Sequence, residues 1–176
     1  SWKKQGMAFR LAIAPRHPER AGEVRSRIES HGFVPKLRSE MRSAEMRNLG
    51  TAWEDDRTVL LIDTIGELFT FFPQSRAVYV GGSLIPRGGQ NILEPAAFGR
   101  PVLFGPHMEN FREAQRALAG RGGIQVGTAG DLSNEARVLM SDRARADEVG
   151  TAARDAFESL RGSADLIADD VATWLN

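Results

Sequence analysis

Two glycine pairs, Gly81-Gly82 and Gly88-Gly89, bracket a short loop that runs into Asn91-Ile92-Leu93-Glu94, and residues of these types in this order can hold a nucleotide. Glycine lets a ligand approach main-chain N–H groups that a side chain would shield. Asn91 is a good N-cap, so the helix after it would turn its amides back into the loop, where oriented dipoles hold an anion. Glu94 has two readings. It can be the third-position partner of a capping box, or a carboxylate that accepts from both hydroxyls of a cis-diol such as ribose. Spacing alone leaves both open; the four glycines upstream, which a capping box does not require, favour the second. Within the loop, Gly82, Ser83, Gly88 and Gly89 are candidates for a sugar or phosphate, and Arg87 offers a guanidinium fork.

Two further stretches carry similar chemistry. In Thr64-Ile65-Gly66-Glu67 a capping box from Thr64 to Glu67 is the plainer reading, yet Gly66 in a first helical turn weakens the helix while opening its amides to a ligand. In Pro15-Arg16-His17-Pro18, Arg16 stands where an apolar run ends. Other chemistries are excluded. His17, His31 and His107 lack metal-ligand spacing, Gly82-Ser83-Leu84 lacks the second glycine of a nucleophile elbow, and no Gly-Lys-Ser/Thr follows the glycine loop.

The elements that must position these residues follow from periodicity. Strands are predicted at Met7–Ala14, Phe33–Leu37, Val59–Ile62, Ala77–Val80, Pro101–Phe104 and Ile124–Val126. A helix from Pro18 to Gly32 shows Ala21, Val24 and Ile28 on one face; others are predicted near Met41–Leu49, after Thr64, at Ile92–Phe98 and at Phe111–Ala119. Alternating strands and helices predict an α/β fold, a six-stranded doubly wound parallel sheet of Rossmann-like type, with the candidate loops at the carboxyl ends of the strands. Residues 131–176 form a helical segment with predicted helices at Asp131–Met140, Arg143–Arg161 and Ser163–Leu175, expected to pack on the sheet edge or a neighbouring domain.

At 176 residues the chain fits one domain, 1–176, and its 23 basic and 23 acidic side chains cancel, so no global charge draws it to nucleic acid or an anionic membrane. The absence of cysteine excludes disulfides, thiolate metal sites and cysteine nucleophiles. The longest apolar run, Thr58 to Ile62, is too short to span a bilayer and the chain is expected to be soluble. An opening without methionine that enters a strand at once suggests a fragment cut at a domain boundary.

The segments APRHPER (Ala14 to Arg20), DTIGEL (Asp63 to Leu68), GGSLIPRGGQNILEPAAFGRPVLFGPH (Gly81 to His107) and ENF (Glu109 to Phe111), in this order, resemble the C-terminal half of the 3-deoxy-D-manno-octulosonic acid (Kdo) transferases. The resemblance covers most of Met7 to Leu118 and is only general beyond Gly130. It implies a GT-B glycosyltransferase that moves Kdo from CMP-Kdo to a lipid A precursor in lipopolysaccharide synthesis, at the cytoplasmic face of the bacterial inner membrane. No metal or cofactor is implied. Pro15, Arg16, Ile65, Gly66, Glu67 and Asn91, Ile92, Leu93 and Glu94 are implied to bind the nucleotide. The catalytic acid, the acceptor surface and the membrane contact are implied to lie in an N-terminal domain, a partner absent from this chain, so that this piece alone would be inactive. Gln90 stands where the family carries His, and acid/base work is not expected there.

Two rival readings remain at this point. Another GT-B enzyme or epimerase using a uridine nucleotide shares the same strand, loop and helix. A non-catalytic Rossmann-like binding module would ignore nucleotides and leave the glycine loop without a role.

Overall fold

A computed structural model describes residues 9–48, 52 and 55–174, with side chains for all of these but 44, 47 and 162–174. The chain divides into two compact units, Ser1–Leu68 and Phe69–Asn176.

The first unit holds β1 (Leu11–Ile13), α1 (Ala21–Ser30), β2 (Val34–Leu37), α2 (Ser43–Arg47) and β3 (Thr58–Leu61). The strands are parallel in the order β1-β3-β2, with Ile13 and Leu37 both opposite Leu61. β3 lies at the centre because it is wholly apolar or β-branched, and all of its residues are buried. Val59 and Leu61 share one of its faces and pack on Ile28, with Ile13, Ala21, Val24 and Phe33 around them, so the predicted apolar face of α1 is the one used. That helix stops where Gly32 takes φ +78°, while the Gly32 and Phe33 amides bond back to Glu29 and Ile28. Met7, Ala8 and Leu49, at the ends of two predicted elements, lie outside the described residues.

The second unit begins within α3 (Leu68–Phe71) and continues through β4 (Val78–Val80), α4 (Leu93–Ala97), β5 (Val102–Phe104), α5 (Arg112–Leu118), β6 (Gly123–Gln125), α6 (Ala129–Ser141) and α7 (Arg143–Trp174). Its sheet is parallel in the order β4-β5-β6. Every residue of β5 is buried, and the pleat sends them to two cores. Val102 and Phe104 join Val80, Ala96, Leu118, Ala153 and Ala156 from β4, α4, α5 and α7, whereas Leu103 joins Leu139 and Ala146 from α6 and α7. α7 lies close to its neighbours through small residues: a Cβ on Gly150 would sit 2.2 Å from the Gly99 carbonyl oxygen, and one on Gly122 would sit 2.2 Å from the Ala153 nitrogen.

Three expectations are corrected. Among the described residues six strands are present, hydrogen-bonded within each unit as a sheet of three where one sheet of six is expected. The helix foreseen from Thr64 starts at Leu68, since Gly66 takes φ +82° and cannot sit in its first turn. The separate helices foreseen at Arg143–Arg161 and Ser163–Leu175 are one continuous helix to Trp174. The helix formers around Gly162 outweigh the ~1 kcal/mol that one interior glycine costs. Leu175 lies outside the described residues. No helix among the described residues is long and apolar enough to cross a membrane.

Candidate functional site

In the first unit β1 and β3 are neighbours, and the Ile62 amide donates to the Ile13 carbonyl at 2.8 Å. The loops that carry Pro15-Arg16 and Asp63 to Glu67 therefore leave adjacent strands at the same carboxyl edge. Arg16 is exposed and has no ion-pair partner among the described residues, so its guanidinium is available to an anion. Ile65 is 84% exposed, an unusual position for an isoleucine, and Gly66 beside it has open space around its Cα.

Glu67 does not complete a capping box, because the helix starts after it. Its carboxylate instead accepts from the Thr64 hydroxyl and, at 2.6 Å, from Arg38 Nη2. Asp63 is held in parallel: it accepts from the Ser39 amide at 2.9 Å and the Ser39 hydroxyl at 2.5 Å. Burial pushes the Asp63 carboxyl up, but the two Ser39 bonds, together with its own main-chain amide and the nearby Arg38 charge, outweigh that and leave it below the usual carboxylate range. Arg38 and Ser39, at the end of β2, are site residues that sequence reasoning missed. They lie 29 and 24 residues from their partners, beyond any local pattern. The one available signal was that they follow a predicted strand, at the same sheet edge as the candidate loops.

In the second unit the glycine loop is closed by a bond from the Gly89 amide to the Gly82 carbonyl at 3.0 Å, and Gly82, Gly88 and Gly89 all have positive φ. Residues 105–110, after β5, pack against it. A Cβ on Gly88 would lie 2.2 Å from Asn110 Nδ2, one on Gly89 would lie 2.4 Å from Met108 Sδ, and one on Gly105 would lie 2.1 Å from the Ser83 carbonyl oxygen. Gly88 and Gly89 are buried, and their missing side chains make room for the contact between the two loops. Ser83 is fully buried; its hydroxyl donates to the Val80 carbonyl at 2.6 Å and accepts from the Gly105 amide at 2.8 Å, and its carbonyl accepts from the His107 amide. It ties the two loops together. Arg87 is exposed, with no side-chain partner among the described residues.

Asn91 caps as foreseen in chemistry but not in register. Its Oδ1 accepts from the Leu93 amide at 3.0 Å, while Ile92 occupies the N-cap position of α4. Glu94 meets the Asn91 side-chain amide at 3.1 Å and not its main-chain amide. This leaves Glu94 Oε2 without a protein partner among the described residues, the free acceptor that a diol would need. Ile92 is fully buried and Leu93 packs on the core, so neither side chain is offered to a ligand. α4 is only five residues long, and its dipole is correspondingly small.

A shallow cleft of about 250 Å³, lined by Pro106, Met108, Glu109, Arg112, Gln115 and Arg116, adjoins this region and held no predicted residue. The Glu109 carboxyl lies below the usual range because its own main-chain amide bonds to it, assisted by the His107 ring at 3.3 Å and by Arg112. Among the described residues no group of three or more His, Cys, Asp or Glu side chains is placed to hold a metal.

Comparison with known proteins places this geometry in context. No protein-family model matches the chain. It is 32% identical over 166 residues to the 3-deoxy-D-manno-octulosonic acid transferase of Bordetella pertussis, covering 94% of this chain and 37% of that protein. The enzyme of the same name from Haemophilus influenzae is 32% identical over 167 residues, again covering 94% of this chain and 37% of the relative. The chain thus spans a little over a third of the length of the curated relatives it matches. Among solved structures, the C-terminal CMP-Kdo binding domain of WaaA from Acinetobacter baumannii superposes with a TM-score of 0.72 at 26% identity, over 84% of this chain and 72% of that one. By sequence and by fold, then, the chain is a relative of the Kdo transferases and has the architecture of their C-terminal, GT-B-like domain.

Proposed function

We propose that this chain is the donor-binding domain of a Kdo transferase and that its ligand is CMP-Kdo. The observation that carries the reading is the likeness in fold and sequence to a solved domain described as CMP-Kdo binding. The local chemistry supports it. In the second unit Asn91 and the free oxygen of Glu94 suit a ribose diol and the exposed guanidinium of Arg87 suits a phosphate; in the first unit the exposed guanidinium of Arg16 likewise suits an anion. Pro15 and Ile65 to Glu67 contact the nucleotide, and Ile92 and Leu93 contribute main chain only.

In the complete protein Kdo would pass from CMP-Kdo to a lipid A precursor at the inner membrane, without a metal. A carboxylate in another domain would deprotonate the acceptor hydroxyl. This chain's part is to stabilise departing CMP, whose phosphate gains negative charge in the transition state; cationic and amide donors that meet it there lower the barrier more than they tighten the ground state.

Calorimetric titration of the chain with CMP, UMP and UDP tests the assignment. CMP is expected to bind best, and Glu94→Ala to weaken it by about tenfold or more, as loss of bonds to a charged acceptor does. Preference for a uridine nucleotide would select a different GT-B enzyme, and indifference to all three would select a binding module of another kind.

A further inference from the structure

We propose that Arg38 and Ser39 form a clamp that positions the loop bearing Glu67, so that Arg38 acts on nucleotide binding as a positioning residue without touching the ligand. The inference rests on the reading of Glu67 as a nucleotide contact. β2 ends at Leu37, and the next two residues reach across the carboxyl edge of β3 to both carboxylates of the following loop. Arg38 Nη2 donates to Glu67 Oε1 at 2.6 Å; Ser39 gives its amide and its hydroxyl to the two oxygens of Asp63. Thr64 adds its hydroxyl to Glu67 from within the loop. Both ends of the segment Asp63 to Glu67 are thereby tied to one neighbouring strand end, while Ile65 and Gly66 between them stand free.

The pairing is not a surface accident. The side chains of Arg38 and Glu67 are only 18% and 28% exposed, so the pair is less screened than the exposed ion pairs Arg20–Glu23 and Arg25–Glu29. Arg38 also leaves its Nε buried with no hydrogen-bond partner. A stranded donor is a cost, and a tie needed only to hold two strand ends together could avoid it with a shorter side chain. What the guanidinium achieves at that cost is a fixed place for Glu67. One lone pair on each Glu67 oxygen is taken by Arg38 and Thr64, which leaves the carboxylate oriented with acceptor capacity to spare.

The test is a double-mutant cycle on CMP affinity with Arg38→Met, Glu67→Gln and the double variant, alongside hydrogen exchange of the Ile65 to Glu67 amides without ligand. Arg38→Met is expected to weaken CMP roughly tenfold, as loss of an orienting partner does, and to speed exchange in that loop while β3 stays protected. The double variant is expected to bind no more weakly than the weaker single. Should Arg38→Met fail to fold, Ser39→Ala, which removes one bond and keeps the main-chain one, carries the same readouts. Additive losses, or an unchanged loop, overturn the clamp. Equal CMP affinity in wild type and Arg38→Met overturns it while leaving the proposed function standing, whereas a wild-type chain that binds no CMP overturns that function and the clamp's role in it.

Discussion

At Gly81, alone among the four glycines of the loop, nothing among the described residues requires the missing side chain. Its φ lies outside the left-handed region, no atom lies within 4 Å of where a Cβ would stand, and it is exposed at the end of β4. Gly88 is the opposite case, with φ +78° and Asn110 Nδ2 at 2.2 Å from the Cβ position. The two substitutions should therefore separate folding from binding. Gly81→Ala is expected to leave unfolding by urea unchanged or to raise stability by up to about 1 kcal/mol, through loss of entropy in the unfolded chain, yet to weaken CMP several-fold. Gly88→Ala is expected to lower stability by about 1–3 kcal/mol, the cost of forcing atoms into an occupied place. A Gly81→Ala variant that binds CMP like wild type would remove this glycine from the site.

Among the elements, strand ends do more than carry loops: they hold one another. The bonds from Ser39 to Asp63 join the end of β2 to the end of β3, and they place the folded Asp63 carboxyl below its usual range. A group whose pKa is depressed by folding adds stability above its unfolded value, about 3.9, and that contribution is lost as pH falls through the folded value. Asp63→Asn should thus melt below wild type near neutral pH, with the gap closing below about pH 4; a gap independent of pH would mean that shape and not charge holds the strand ends. The same bonds show what a sequence can and cannot reveal. The end of α1 at Gly32 was legible because the signal is local, a glycine in left-handed conformation whose amide bonds back to the last turn. The start of α6 was placed two residues late, since Ala129 and Gly130 conceal the capping box from Thr128 to Asp131. The glycine loop follows β4 as expected, but the contacts of Ser83, Gly88 and Gly89 depend on residues 105–110, and those of Glu67 on Arg38. Such contacts are set by which strands pair, and no periodicity records that. The six strands were countable for the same reason that their division into two sheets was not.

For the molecule as a whole, the question is whether binding and chemistry can be parted. The chain corresponds to 37% of the length of its Bordetella relative, and every group of the proposed site is one that would act on the donor. Its 23 positive and 23 negative charges cancel, so attraction to CMP, as proposed, would come from local donors and not from a field over the entire surface. A site of that kind stabilises the state that holds it by RT ln(1 + [L]/Kd), about 2.7 kcal/mol at a hundredfold excess over Kd. For a protein of this size that corresponds to a rise of roughly 5–10 °C in melting temperature. The chain, incubated with CMP-Kdo and a lipid A precursor, is expected to show this shift and to release no glycosylated lipid detectable by mass spectrometry. Donor-side stabilisation lowers the barrier only once another group has activated the acceptor hydroxyl. Transfer by this chain alone would place the general base among its own carboxylates, and Glu67, Glu94 and Glu109 would then have to be tested in turn as that base.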